Sequence, residues 1–299
     1  MINARYGSEW EPWGKESRRL PWWEQKVTVC IAGICSGLGS PNRIILCTDW
    51  KVSNELGSAE TKYKTQYLRG GWAYLTAGYE SEINALGKLF KETFAKAQVI
   101  TEENIAALVR EPLRRRKNDK IDEYLYGRFG IGKDEFYQYG KVRFPEDIYR
   151  LTMAEISQLS IGAEFLVCGF CGPSAMIFKT NTRGHVSMPD EFATIGEGAD
   201  LAMSSLLHRG YSDILDFPAA LYAVYEAKRV AERVPSVGEA TTLNVLIHGQ
   251  ARPRFVRPRA VDKLKKFYVE LGPKPFPLDF DLTDAEAIGD AEPPQPKQG

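Results

Sequence analysis

The sequence predicts an α+β protein in which two antiparallel sheets pack face to face with helices on the outside. Three observations lead there. Apolar runs bounded by turn residues come as hairpin-linked groups: VTVCIAGIC, SGLGSPN and RIILCTD near the start, AEFLVCGF and SAMIFKT later. After each group the apolar spacing switches from strand-like to helical, as at Ile83, Leu86, Phe90 and Phe94. The whole chain then reads strands, helices, strands, helices, strand, so the second half repeats the grammar of the first.

Taken in order, residues 1 to 27 hold Trp10, Trp13, Trp22 and Trp23 among charges and prolines without a clear period, and read as an extension that packs on something else. Val27–Cys35 and Arg43–Asp49 form a hairpin across a long turn. A third strand spans Thr61–Leu68, and after Gly70-Gly71 a fourth spans Trp72–Ala77. Gly78 leads directly into the first helix. Thr101 opens the next one, with Glu102 and Glu103 in its first turn where acids favour a helix start. Pro112 and the basic cluster Arg114, Arg115, Arg116 and Lys117 follow, offset by Asp119, Asp122 and Glu123. Residues 112 to 145, aromatic-rich and glycine-punctuated in their second part, read as an insertion on a core. Pro145 opens a helix carrying Ile148, Leu151, Ile156 and Leu159. Beyond the second hairpin, FATIG is a short strand that enters the helix GADLAMSSLLH, Phe217–Arg233 is a long amphipathic helix, and TTLNVLIHG closes the set. Ala260–Leu271 reads as a last helix, and the proline-rich acidic end as disordered.

Composition narrows the function classes. The 299 residues carry 39 Lys+Arg against 39 Asp+Glu, which argues against a dedicated nucleic-acid binder. The balance hides two unlike segments: residues 252–266 hold seven bases and one acid, and 279–292 hold six acids and no base. A hydrophobic share of 43% is too high for wholesale disorder. No apolar run reaches the roughly 18 residues of a membrane helix, and the opening lacks the roughly seven-residue apolar stretch of a secretory signal, so a cytoplasmic protein is expected. Cys30, Cys35, Cys47, Cys168 and Cys171 read as buried reduced thiols. Cys168 and Cys171 have C-x-x-C spacing, yet three residues apart on a strand they point to opposite faces, and only three histidines accompany them. No metal site and no cofactor are expected. Gly196-Glu197-Gly198 lacks the lysine and length of a phosphate loop, and there is no G-x-S-x-G elbow.

Several strings, in order, resemble the proteasome β-subunit family of N-terminal nucleophile hydrolases, of bacterial type. They are TVCIAGIC, IILCTD followed by a basic residue, a lysine-bearing strand, LTAG before a helix, FLVCGF, IGEG before a helix, HRGYSDIL and TLNVLIHG. The similarity covers about residues 28 to 249, leaving 1–27 as extension or propeptide and 250–299 as basic helix and acidic tail. The resemblance implies a four-layer αββα fold, a homo-oligomeric ring and a peptide or protein substrate. It also implies a threonine nucleophile whose own freed α-amine takes the hydroxyl proton. Thr28 matches that nucleophile, Asp49 the acid that holds the lysine, Lys64 the lysine with Lys62 as its alternate, and Gly78 the backbone oxyanion donor.

The match has departures. Val27 stands where a self-processing member carries glycine, Glu197 replaces a serine, and VPSVGEA, with Ser236 and Glu239, replaces an aspartate-then-serine order. Two further readings therefore accompany the threonine peptidase. One is a non-catalytic, ring-forming scaffold with an uncleaved N-terminus; the other keeps the fold and hydrolyses a small amide.

Overall fold

The computed structural model describes residues 28–37, 42–54, 57–60 and 64–273. The expectations for the tryptophan-rich extension and the acidic tail concern stretches that lie outside the described residues. In chain order the strands are β1 Val29–Cys35, β2 Arg43–Asp49, β3 Lys51–Asn54, β4 Gly57–Glu60, β5 Thr65–Tyr67, β6 Ala73–Gly78, β7 Ala163–Cys171, β8 Ser174–Thr180, β9 Val186–Ser187, β10 Phe192–Gly196, β11 Thr241–Ile247 and β12 Arg254–Phe255. The helices are α1 Glu80–Lys96, α2 Glu102–Phe129, α3 Lys133–Arg143, α4 Glu146–Gln158, α5 Ala199–His208, α6 Phe217–Ala231 and α7 Pro258–Leu271. A short 3₁₀ turn, Arg69–Gly71, separates β5 from β6.

The chain is a mixed α+β protein with two antiparallel five-stranded sheets, ordered β10-β1-β2-β11-β12 and β5-β6-β7-β8-β9, and a small β3-β4 hairpin. Alternation along the strands decides what each face covers. On β1 and β2, Val29, Ile31, Ile45 and Cys47 face outward into a cluster completed by Leu206 of α5 and Ala220, Val224 and Ala227 of α6. Their neighbours Cys30, Ala32, Ile44 and Leu46 face inward, against Leu75, Leu166, Cys168 and Ile177 of the other sheet. The outer face of that second sheet (Tyr74, Phe165, Val167, Phe178) is covered by Leu86, Phe90 and Phe94 of α1 and by Ile105, Val109 and Leu113 of α2. Two sheets thus meet face to face, each with helices behind it. Cys168 lies between the sheets and Cys171 under the helices, the opposite-face placement expected of C-x-x-C on a strand.

Most element boundaries agree with the sequence reading to within a few residues. Of the expected third strand, residues 61–63 lie outside the described ones, and the described part is strand over Thr65–Tyr67. Two features differ. The β3-β4 hairpin was not legible, because KVSN and GSAE carry no apolar alternation. And α2, opened by a capping box between Thr101 and Asn104, runs for 28 residues straight through Pro112. An internal proline costs a helix about 3 kcal/mol or more. Burial of Val109, Pro112 and Leu113 on one side and of Ile121 and Leu125 further on offsets it. The stretch read as an insertion is helical: the end of α2 together with α3 and α4 encloses a satellite cluster of Ile121, Leu125, Phe136 and Ile156.

The helix that matters most for the site is α6. Asp216 caps it by accepting a hydrogen bond from the Ala219 N–H at 2.8 Å, and Pro218 stands in its first turn, where no N–H is missed. Asp216→Ala should lower stability by about 1 kcal/mol, read as a shift in the urea midpoint with unchanged slope. An unchanged midpoint would show that α6 is held by burial alone.

Candidate active site

Thr28 precedes β1, Asp49 ends β2, and Lys64 precedes β5, so both sheets contribute to one cluster. The β1-β2 register pairs Cys30 with Thr48, which brings the start of β1 against the end of β2. The long turn lies at the other end of the hairpin, and its length does not disturb this pairing. The three side chains are buried: Thr28 is 1% exposed, Asp49 0% and Lys64 8%.

Asp49 is the hub. Its Oδ1 accepts from the Thr28 hydroxyl, from Lys64 Nζ at 2.7 Å and from the Val29 N–H at 3.2 Å. Its Oδ2 accepts from the Gly238 N–H at 3.0 Å and the Lys51 N–H at 3.3 Å. A carboxylate withdrawn from water is tolerable only when donors replace its hydration and a cation sits beside it, and both conditions hold. Lys64 Nζ also donates to Thr28 Oγ1, so the hydroxyl lies between an ammonium donor and a carboxylate acceptor. Of the two, the Lys64 ammonium favours negative charge on Oγ1, which is what a nucleophilic hydroxyl needs, and Asp49 accepts the hydroxyl proton in a hydrogen bond.

The neighbouring thiol is not a competitor. Cys30 Sγ donates to the Thr76 carbonyl at 3.3 Å, and burial pushes its pKa up to about 12, against the opposing pull of Lys64. Thiolate is therefore scarce near neutral pH. Burial raises the Cys47 and Cys168 thiols as well.

Two glycines shape the surroundings. Gly196 ends β10 opposite Val29, with φ +92°, and a Cβ there would stand 2.4 Å from the Thr28 carbonyl oxygen. The Gly198 N–H donates to that same oxygen at 3.3 Å, so the Gly-Glu-Gly segment wraps the Thr28 backbone. Gly78 ends β6 with φ +124°, and a Cβ would collide with the Gly162 carbonyl at 2.4 Å. Among the described residues no hydrogen bond joins Gly78 to the Thr28 cluster, and Lys62 lies outside them. Of the residues singled out in the sequence, the fold therefore gathers Thr28, Asp49 and Lys64.

Sequence reasoning singled out VPSVGEA after α6 only as a departure from the family pattern and missed the part its Gly238 plays. Gly238 supplies a donor to Asp49, and Ser236 Oγ is buried without a partner among the described residues. It also missed Lys228, which is fully buried on α6. One signal was present: Lys228 falls on the apolar stripe of Leu221 and Val224, where a charge is out of place.

Among the described residues no group of three or more His, Cys, Asp or Glu could hold a metal ion, and no helix is long and apolar enough to cross a membrane. No protein-family model matches the chain, and no curated protein matches it.

Proposed function

We propose that the chain is a proteasome-like, threonine-type N-terminal nucleophile hydrolase that cleaves amide bonds in peptides. The observation that carries this reading is the convergence of the Thr28 hydroxyl, the Lys64 ammonium and the Asp49 carboxylate from three separated segments. The helix-sheet-sheet-helix packing and the ordered strings of the sequence support it, because that family combines such a fold with a threonine at the start of its first strand.

The chemistry requires scission of the Val27–Thr28 bond. The freed Thr28 amine, with a pKa near about 8, then accepts the Oγ1 proton. Oγ1 attacks the substrate carbonyl, and the resulting oxyanion takes a hydrogen bond from the Gly78 N–H. Collapse expels the amine leaving group, which receives the proton, and leaves an ester on Thr28. Water activated by the same amine hydrolyses that ester. Throughout, Lys64 supplies positive charge beside Oγ1 and Asp49 keeps Lys64 in place. The ring assembly implied by the resemblance would confine substrate, and five free thiols suit a reducing compartment.

Val27 favours a second reading, a ring-forming scaffold in which Thr28 stays in peptide linkage. Intact and native mass spectrometry of the purified protein separates the two. The hydrolase reading expects a species lacking residues 1–27, an oligomer, and cleavage of fluorogenic peptides that Thr28→Ala abolishes. Only full-length, inactive chain would leave the scaffold, and undiminished cleavage by Thr28→Ala would remove the nucleophile.

A further inference from the structure

We propose that Lys228 is a positioning residue for the Thr28 centre: from within the helix layer it pins the loop after α6 and so holds the Gly238 N–H on Asp49. The kinetic part of this inference rests on the threonine-hydrolase reading; the structural part does not.

The contacts form a short relay. Lys228 Nζ donates to the Glu239 carbonyl at 2.6 Å and to Glu232 Oε1. The preceding residue, Gly238, donates its N–H to Asp49 Oδ2 at 3.0 Å. Glu232 is in turn held by Arg229, whose Nη1 lies 3.0 Å from Oε1 and 2.7 Å from Oε2. Lys228 is 0% exposed on a helix face otherwise made of Leu221, Val224, Ala227 and Ala231. An apolar residue would pack there at lower cost, since desolvating an ammonium is recovered only through good geometry with its partners. Helix packing alone gives no reason for the charge. The charge finds its use at the Glu239 carbonyl, where Lys228 Nζ joins the Thr241 hydroxyl as a donor and which adjoins the donor to Asp49.

A second lysine marks the contrast. Lys51 Nζ donates to the Pro235 carbonyl at 2.7 Å at the other end of the same loop, in an exposed position. Water competes for that contact and not for the buried one, so Lys228 dominates.

The groups that face Lys228 are Glu232 and Arg229 on its own helix, Cys47 on β2 and Glu239 from the loop, with Tyr225 beside Cys47 and Glu232. Burial lowers the pKa of the Lys228 ammonium, which Glu232 opposes. The grip on the loop therefore weakens as pH rises toward the alkaline range, earlier than for an exposed lysine, and removing the Glu232 charge moves this loss to lower pH.

The test compares full-length wild type, Lys228→Met and Glu232→Gln by amide hydrogen exchange and by peptide-hydrolysis kinetics. In Lys228→Met, exchange in the 235–240 peptide should accelerate while protection in β1, β2 and α6 is kept. Its kcat should fall roughly 10- to 100-fold with KM changed less than about twofold, because the donor to Asp49 is misplaced and substrate contacts are not. Glu232→Gln should keep its neutral-pH kcat and shift the alkaline limb of the kcat profile to lower pH, which a purely structural role would not do. The double variant Lys228→Met/Glu232→Gln, with no unbalanced carboxylate, repeats the exchange measurement should the single variant fold poorly. Unchanged exchange at 235–240 overturns the clamp whatever the activity, and an unmoved alkaline limb in Glu232→Gln overturns its kinetic part. A wild type without hydrolase activity refutes the threonine reading and leaves exchange alone to decide the clamp.

Discussion

Asp49→Asn should abolish hydrolysis, lowering kcat roughly 10³- to 10⁴-fold as loss of a charged partner does in other nucleophile centres, and should destabilise the fold by about 3 kcal/mol or more. The size of the effect follows from what surrounds the side chain. Oδ1 faces the Thr28 hydroxyl, Lys64 Nζ and the Val29 N–H, while Oδ2 faces two backbone N–H groups, from Lys51 and Gly238. An asparagine replaces one of these oxygens by an NH₂ donor. Whichever way the amide turns, that donor meets donors that cannot leave, because backbone fixes three of them. Lys64, 8% exposed, also loses its counter-charge. Urea unfolding and peptide hydrolysis measure the two effects, and wild-type stability in Asp49→Asn would show that the carboxylate is not the shared acceptor.

Gly196→Ala should be nearly as damaging without touching a polar side chain. Its φ of +92° disfavours any residue with a Cβ, at a cost of about 1–2 kcal/mol. The new methyl would also meet the Thr28 carbonyl oxygen at 2.4 Å and Thr28 Cγ2 at 2.9 Å. Overpacking of this kind adds about 1–3 kcal/mol, and since backbone is the obstacle, either β10 or Thr28 must move. A shift of Thr28 by about 1 Å would cost hydrolysis on the order of 10²-fold. The expected result is a protein that melts lower and turns over slowly while still carrying Thr28, Asp49 and Lys64. A Gly196→Ala protein with wild-type kcat would mean that the segment wrapping Thr28 plays no part in placing it.

The two variants probe parts of the centre that differ in how readable they were. Asp49 and Lys64 were matched to Thr28 through the resemblance to the proteasome β-subunit family, Lys64 by its count back from Gly78, and the fold places all three in one cluster. Gly196 stood in a legible strand end, IGEG before a helix, but its dependence on the Thr28 carbonyl comes from the pairing of β10 with β1, strands some 160 residues apart in sequence. Periodicity reports on a segment and its own neighbours, and such long-range register is beyond it. Pro112 illustrates the converse. Local preference argues for a break, and the continuous burial of Val109, Leu113 and Leu125 carries α2 through it. The β3-β4 hairpin escaped notice because polar residues leave no alternation to read.

By itself, then, the sequence determined the alternation of strand pairs and helices, the faces that must be buried and the residue types able to do nucleophile chemistry. All of these follow from side-chain periodicity and intrinsic chemistry, which are local properties. Only the tertiary structure decided which of those residues meet. It brought Thr28, Asp49 and Lys64 into hydrogen-bonding distance, added the Gly238 and Lys51 N–H groups to the carboxylate, and placed Lys228 behind the loop that carries one of them. Hydrogen bonds and buried charges depend on distances of a few ångströms between segments far apart in the chain, and those distances are fixed when two sheets and their helices close on a common core.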